Sequence, residues 1–398
     1  MTFAEVIFLK EAVKNFYDKW MRFAVIGAAL VFFAVRSVQM IMQISTTLAL
    51  PAATLYLLDF NFYIGSRTFI GSVLTLLTEH ITYQQIFALN IAVYVSMIIA
   101  FFALGMHTVK LAVKEDNNFM FLLAALFIVC PYSVMQYASW VGTYDIYLCL
   151  FAVLCGVLSG TKRMNWLCPV ICVIAIFTHY AFVFSYFPAV LSVQIYGIIT
   201  NENRKSSIVS AVVGFVASFV SAVYCGFFAD GTIKMTRDEL YAYMENRLGM
   251  PVENKPYIDS YYFEEDVFGM LSGFKNSIVN DEFIKNFVLF FLPVMLLFVA
   301  LWCYYIIKNS NKQIVAGVFF ILTAVCSIAL IFLIIEAPRW QAAAILSQFI
   351  ILFTVMKKKD SAVTELMGKI NILPVNVAMI VFIVYNISAS FIIKPFFS

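Results

Sequence analysis

Apolar residues run in eleven stretches along this chain, at 23–50, 86–109, 118–137, 144–160, 166–178, 181–199, 207–229, 286–307, 313–335, 340–356 and 374–393. A helix needs roughly 20 mostly apolar residues to cross a bilayer, so the pattern predicts an all-α polytopic membrane bundle of about eleven spans. The stretch 166–199 holds no Lys, Arg, Asp or Glu and is too long for one ordinary span. His179 marks where it must break. Residues 1–22 instead mix charges with a helical stripe of Phe3, Val6, Ile7, Val13, Phe16, Tyr17 and Trp20. That stripe predicts an amphipathic helix on the membrane surface, and no cleavable signal peptide is evident.

Polar connections orient the spans. Lys10, Lys14, Lys19 and Arg22, Lys110 and Lys114, Lys162 and Arg163, Arg204 and Lys205, Lys308 and Lys312, and Lys357, Lys358, Lys359 and Lys369 occupy one set of short segments. The opposite set holds only Arg67, Arg339 and Lys394. Short cytoplasmic loops carry the excess of Lys and Arg, so the N-terminus is expected inside and the C-terminus outside. The chain then divides into the surface helix 1–22, an N-terminal bundle 23–229 with an outer loop 51–85, a large extracytoplasmic loop 230–285, and a C-terminal bundle 286–398.

Composition sharpens this picture. Hydrophobic residues make up 63% of the chain, far above a soluble domain, which places it in the plasma or inner membrane as a multi-pass protein. Net charge is only +3, and topology accounts for the basic residues, so nucleic-acid binding is unsupported. All eight cysteines fall in predicted spans and read as small buried hydrophobes, with no structural disulfide expected. Neither a Walker loop nor a dinucleotide glycine pattern is present.

Most unusual residues fall at the outer face. In the first outer loop, Asp59 is a candidate general base and Arg67 a candidate phosphate ligand; the two can instead pair with each other. Ser66 is placed to cap an interfacial helix with apolar residues Phe69, Ile70, Val73, Leu74 and Leu77. In the next outer turn, Trp140 and Tyr144 suit the aromatic belt, and Asp145 heads an apolar helix either as a dipole-favoured carboxylate or as a site residue. His179 can bind a phosphate oxygen or relay a proton. Glu336 and Arg339, ahead of Trp340, form a salt bridge or leave Arg339 free for an anion. Arg36 lies about 20 Å into the first span at helical rise. An intramembrane arginine is a functional candidate by default, with a helix-ordering seam as the alternative. The long loop combines carboxylates with Tyr241, Tyr243, Tyr257, Tyr261, Tyr262, Phe263, Phe268 and Phe274. Thr236 and Glu239 read as a capping box. No metal cofactor is certain, although Asp230, Glu264, Glu265 and Asp266 are candidate ligands for a divalent cation.

This arrangement of a first span, an outer loop with an aspartate and interfacial helices, then a further bundle resembles the GT-C class of membrane glycosyltransferases. The run from Ser139 to Asp145 after Cys130 and Pro131 looks like bacterial O-antigen glucosyltransferases, with Thr143 where their run has Arg. The His179 segment and Glu336, Arg339 and Trp340 look like multispanning proteins of capsule and O-antigen loci, polymerases included, which often have Asp at the position of Glu336. The resemblance implies sugar transfer from a polyprenyl-phosphate-type donor to a lipid-linked or surface glycan. It implies Asp59 or Asp145 as base, Arg67, His179, Arg339 and Arg36 toward the donor, and Trp140, Tyr144, Glu336 and Trp340 toward the acceptor. A glycolipid transporter or flippase, an O-antigen-type polymerase and a structural export partner are the alternatives.

Overall fold

The computed structural model describes residues 3–47, 53–159, 161, 164–200, 204–252, 255–262, 281–309, 311–331 and 337–392. Among them there is helix and no strand. Each of the eleven apolar stretches contains a helix. Six are long and apolar enough to cross a membrane: Arg22–Ile44, Tyr83–Lys114, Arg204–Phe227, Ile284–Lys308, Arg339–Lys357 and Leu373–Phe391. This is the mark of a membrane protein. Five apolar helices are shorter: Asn118–Val129, Asp145–Leu158, Leu167–Thr178, Phe187–Ile199 and Gln313–Cys326.

In chain order the helices begin with α1 (Phe3–Thr47), α2 (Phe69–Leu77), α3 (Tyr83–Lys114), α4 (Asn118–Val129) and α5 (Asp145–Leu158). They continue with α6 (Leu167–Thr178), α7 (Phe182–Ser185), α8 (Phe187–Ile199), α9 (Arg204–Phe227), α10 (Arg237–Leu248) and α11 (Lys255–Tyr262). The last are α12 (Asp281–Asn286), α13 (Leu292–Lys308), α14 (Asn311–Ile331), α15 (Ala337–Lys357), α16 (Ser361–Ile370) and α17 (Leu373–Ile392). A π-helical turn over Phe287–Phe291 joins α12 to α13.

The helix expected in 1–22 is not a separate element. Residues 3–47 form one continuous helix with no break at Arg22. No proline occurs in this stretch to interrupt it. The expected break at His179 does occur: α6 ends at Thr178, and His179 is extended at φ −165° and ψ 121°.

Burial explains how the bundle is layered. In lipid a helix that is apolar all round can sit outside, so the polar positions mark the inside. The Arg339–Lys357 span is 94% buried, whereas Arg22–Ile44 and Arg204–Phe227 are 17% and 22% buried, so α15 is the central post. Gln348 and Ser347 on this helix find partners. Trp302 Nε1 donates to Gln348 Oε1 at 2.7 Å, and Ser347 Oγ donates to Ser185 O at 3.0 Å. The outer helices expose Val31, Val35, Val38, Val212, Phe219 and Val381, which is where acyl chains belong.

The first loop is a compact unit against one end of the bundle. A 3₁₀ turn over Leu55–Leu57 and the short helix α2 approach closely at Gly71. A Cβ there would lie 1.8 Å from Leu58 O. Ser66 does not cap α2. Thr68 holds that position, and Ser66 Oγ accepts from Tyr180 N–H at 2.9 Å. Helix α2 exposes Val73, Leu76 and Leu77, as an interfacial helix should.

The described part of the long loop packs onto the first loop. The expected capping box at Thr236 and Glu239 is present, and Gly249 ends α10 at φ +72°. Ile81 N–H donates to Arg247 O at 2.9 Å, and Tyr262 stacks edge-on against Phe62 and Tyr63.

Candidate functional site

Two clusters form at the end of the bundle that carries the first loop. The first gathers four candidates from four separate segments. Asp145 begins α5, His179 sits in the break after α6, Arg339 is in the first turn of α15, and Arg67 precedes α2. Arg339 Nε donates to Asp145 Oδ1 at 2.6 Å. Arg339 Nη2 lies 3.3 Å from His179 Nε2, and Arg67 Nε lies 3.4 Å from the same nitrogen. Ala181 N–H donates to His179 Nδ1 at 3.1 Å.

The local backbone explains this convergence. Arg67 adopts φ +72°, a left-handed conformation disfavoured outside glycine. Tyr144 Oη secures it, its one proton shared between Arg67 O at 3.1 Å and Leu55 O at 2.9 Å. Tyr144 is thus a buried clamp on the first loop. Trp140 and Trp340, 2% and 5% exposed, are also buried in the packing. Glu336 lies outside the described residues.

The imidazole defines what this cluster can do. A neutral ring offers one donor and one acceptor. Ala181 N–H approaches one nitrogen and two guanidinium groups approach the other. Whichever tautomer the ring takes, it meets more donors than it has lone pairs to offer. Burial, then Arg67, then Arg339 hold its pKa well below the usual imidazole value, so it is neutral near pH 7. The locus beside His179 is therefore rich in hydrogen-bond donors, with Asp145 paired to one of its two guanidinium groups.

This shift predicts a pH dependence. The native ring resists a proton that the unfolded chain accepts below about pH 6.5. Stability is therefore full above that pH and is lost as pH falls toward the depressed native value, by up to about 1.4 kcal/mol per pH unit. Thermal unfolding between pH 7.5 and 5 checks it: His179→Gln should flatten the acid limb, and an unchanged limb would assign it elsewhere.

The second cluster surrounds Asp59, which is 1% exposed. Thr75 Oγ1 and Tyr243 Oη each donate to Oδ2 at 2.5 Å, and Asn61 N–H donates to Oδ1 at 2.9 Å. Arg247 Nη1 reaches Oδ2 at 3.4 Å and donates to Leu57 O at 2.7 Å. The arginine beside Asp59 is Arg247 from the long loop, not Arg67. Sequence reasoning missed Arg247, whose place in the last turn of α10 reads as ordinary dipole complementarity.

Arg36 joins neither cluster. Its Nη2 donates to Ser390 O at 2.8 Å and its guanidinium lies over the Phe391 ring at 4.8 Å, so it ties α1 to α17. Among the described residues, no group of three or more His, Cys, Asp or Glu is arranged to hold a metal. Asp230 is exposed, and Glu264, Glu265 and Asp266 lie outside the described residues. No family model, curated protein or solved structure matches the chain.

Proposed function

We propose that this chain is an outer-face membrane glycosyltransferase that moves a sugar from a polyprenyl-phosphate-type donor to a lipid-linked or surface glycan. The observation that carries the reading is the convergence of Arg67, His179 and Arg339 at one end of an apolar bundle, where a lipid phosphate would lie. The reading includes eleven crossings with the basic loops inside, so that this end faces outward.

Asp145 is the base in this scheme and Asp59 the anchor of the first loop. A donor phosphate competes for Arg339 and frees the Asp145 carboxylate. The acceptor hydroxyl gives its proton to Asp145, and its oxygen forms the bond to the anomeric carbon. The anomeric carbon–oxygen bond breaks, and its electron pair leaves on the phosphate, which Arg67, Arg339 and His179 stabilise. The transport alternative rests on Arg36 at depth and the break at His179; Arg36 is engaged with Ser390, and His179 with Arg67 and Arg339.

Binding of a polyprenyl phosphate against the matching polyprenol tests the site. Wild type should retain the phosphate at least about tenfold more tightly, and Arg67→Lys should lose most of that preference, because a point-charge ammonium cannot replace a planar fork. Equal retention of both lipids by wild type would remove the phosphate site. Sidedness is read on a cysteine-free background with Cys at exposed Glu79. Reaction with an impermeant thiol reagent only after permeabilisation would overturn the outer-face assignment.

A further inference from the structure

An apolar groove of about 470 Å³ opens between α13 and α17, far in the chain from both clusters. Pro293, Leu297, Ala300 and Leu301 form one wall, Ala378, Met379 and Phe382 the other, and Phe119 and Leu366 line it further. The room exists because Ala300 and Ala378, both exposed, are small where neighbours on the outer helices are large. One end of the groove is pinned. Pro293 has no N–H for Leu289 O, and Tyr385 Oη donates to that carbonyl at 2.8 Å. Phe290 and Tyr385 close the same end with ring centroids 5.3 Å apart.

The other end is open and basic. Tyr304 lines the mouth, with Lys308 Nζ 5.9 Å from its ring centroid. Lys369, on the amphipathic helix α16, pairs with Glu365 and lies near the Tyr304 hydroxyl. Glu365 offsets one of the two ammonium groups, and the mouth keeps a net positive charge. Both lysines are exposed.

We infer that this groove binds an anionic phospholipid, with one acyl chain between α13 and α17 and the phosphodiester on Lys308 and Lys369. An apolar slot pinned at one end admits a chain from the other. Basic residues between helices at a membrane surface select anionic headgroups. The site is independent of the proposed transfer chemistry.

The test uses the full chain purified in detergent, offered phosphatidylglycerol or phosphatidylcholine with identical acyl chains, and counted by native mass spectrometry. Wild type should retain phosphatidylglycerol about tenfold better. Lys308→Gln with Lys369→Gln should erase the preference, and Ala300→Trp with Ala378→Trp should remove retention of both lipids. These side chains are exposed, so unfolding temperatures should stay near wild type; Ala378→Leu alone serves if the double tryptophan variant fails to fold. Equal retention by wild type, a preference that survives loss of both lysines, or undiminished retention in the filled groove would each overturn the site. A dimer that forms only when the groove is unfilled would assign it to a second copy of the chain and overturn it too.

Discussion

Arg339→Lys is expected to lower sugar transfer at least about a hundredfold while leaving the unfolding temperature within a few degrees of wild type. The guanidinium spans two partners at once, Asp145 Oδ1 at 2.6 Å and His179 Nε2 at 3.3 Å. An ammonium keeps the charge but reaches one of them. Arg339→Ala differs, because it removes the ion-pair partner of a carboxylate whose side chain is 9% exposed. Breaking a buried pair in this way costs about 3–5 kcal/mol. Adding Asp145→Asn to Arg339→Ala should restore much of that stability and none of the transfer. Transfer is measured in proteoliposomes with a polyprenyl-phosphate sugar, and stability by thermal unfolding in detergent. Wild-type transfer by Arg339→Lys would take phosphate stabilisation out of the mechanism. Recovered transfer in the double variant would remove Asp145 as the base.

Gly71→Ala is expected to destabilise the fold by about 3 kcal/mol or more, at the upper end of what overpacking costs. The added methyl would lie 1.8 Å from Leu58 O, 2.8 Å from Leu58 C and 3.0 Å from Tyr56 O. All three are backbone atoms, so no rotamer change relieves the clash. Helix α2 must move away, and it carries Thr75 off Asp59. The loss therefore extends to Tyr243 and Arg247 and loosens α10 from the first loop. Denaturant unfolding gives the energy, and proteolysis near residue 249 reports the release of α10. A wild-type unfolding curve for Gly71→Ala would mean that α2 does not sit this close to Leu58.

Comparison of sequence and structure shows which features are local. The helices follow from apolar runs, because lipid forbids unsatisfied backbone and leaves few other solutions. The break at His179 and the capping box at Thr236 are written within a few residues of themselves. Pairings across the fold are not. Asp59 meets Arg247 across 188 positions, and Asp145 meets Arg339 across 194. Proximity in the chain suggested Arg67 for Asp59, and a local reading has no term for a helix folding back over a loop. Arg67, His179 and Arg339 were each visible as charge or imidazole at the end of an apolar run; their meeting at one nitrogen was not. The burial of Trp140, Tyr144 and Trp340 was not legible, because an aromatic at a helix end looks the same whether it faces headgroups or clamps a buried turn.

The contact between Arg36 and Ser390 sets a timetable for biogenesis. Synthesis delivers the arginine with the first helix and its carbonyl partner 354 positions later, with the last. Throughout that interval the nascent chain holds a guanidinium in or beside hydrocarbon, a burden of about 2.5–3.5 kcal/mol on insertion scales. The first helix must be sheltered by the insertion machinery or by water until the last one arrives. A chain truncated before Leu373 would leave that arginine only the bond along its own helix, from Nη1 to Gln39 Oε1 at 3.0 Å.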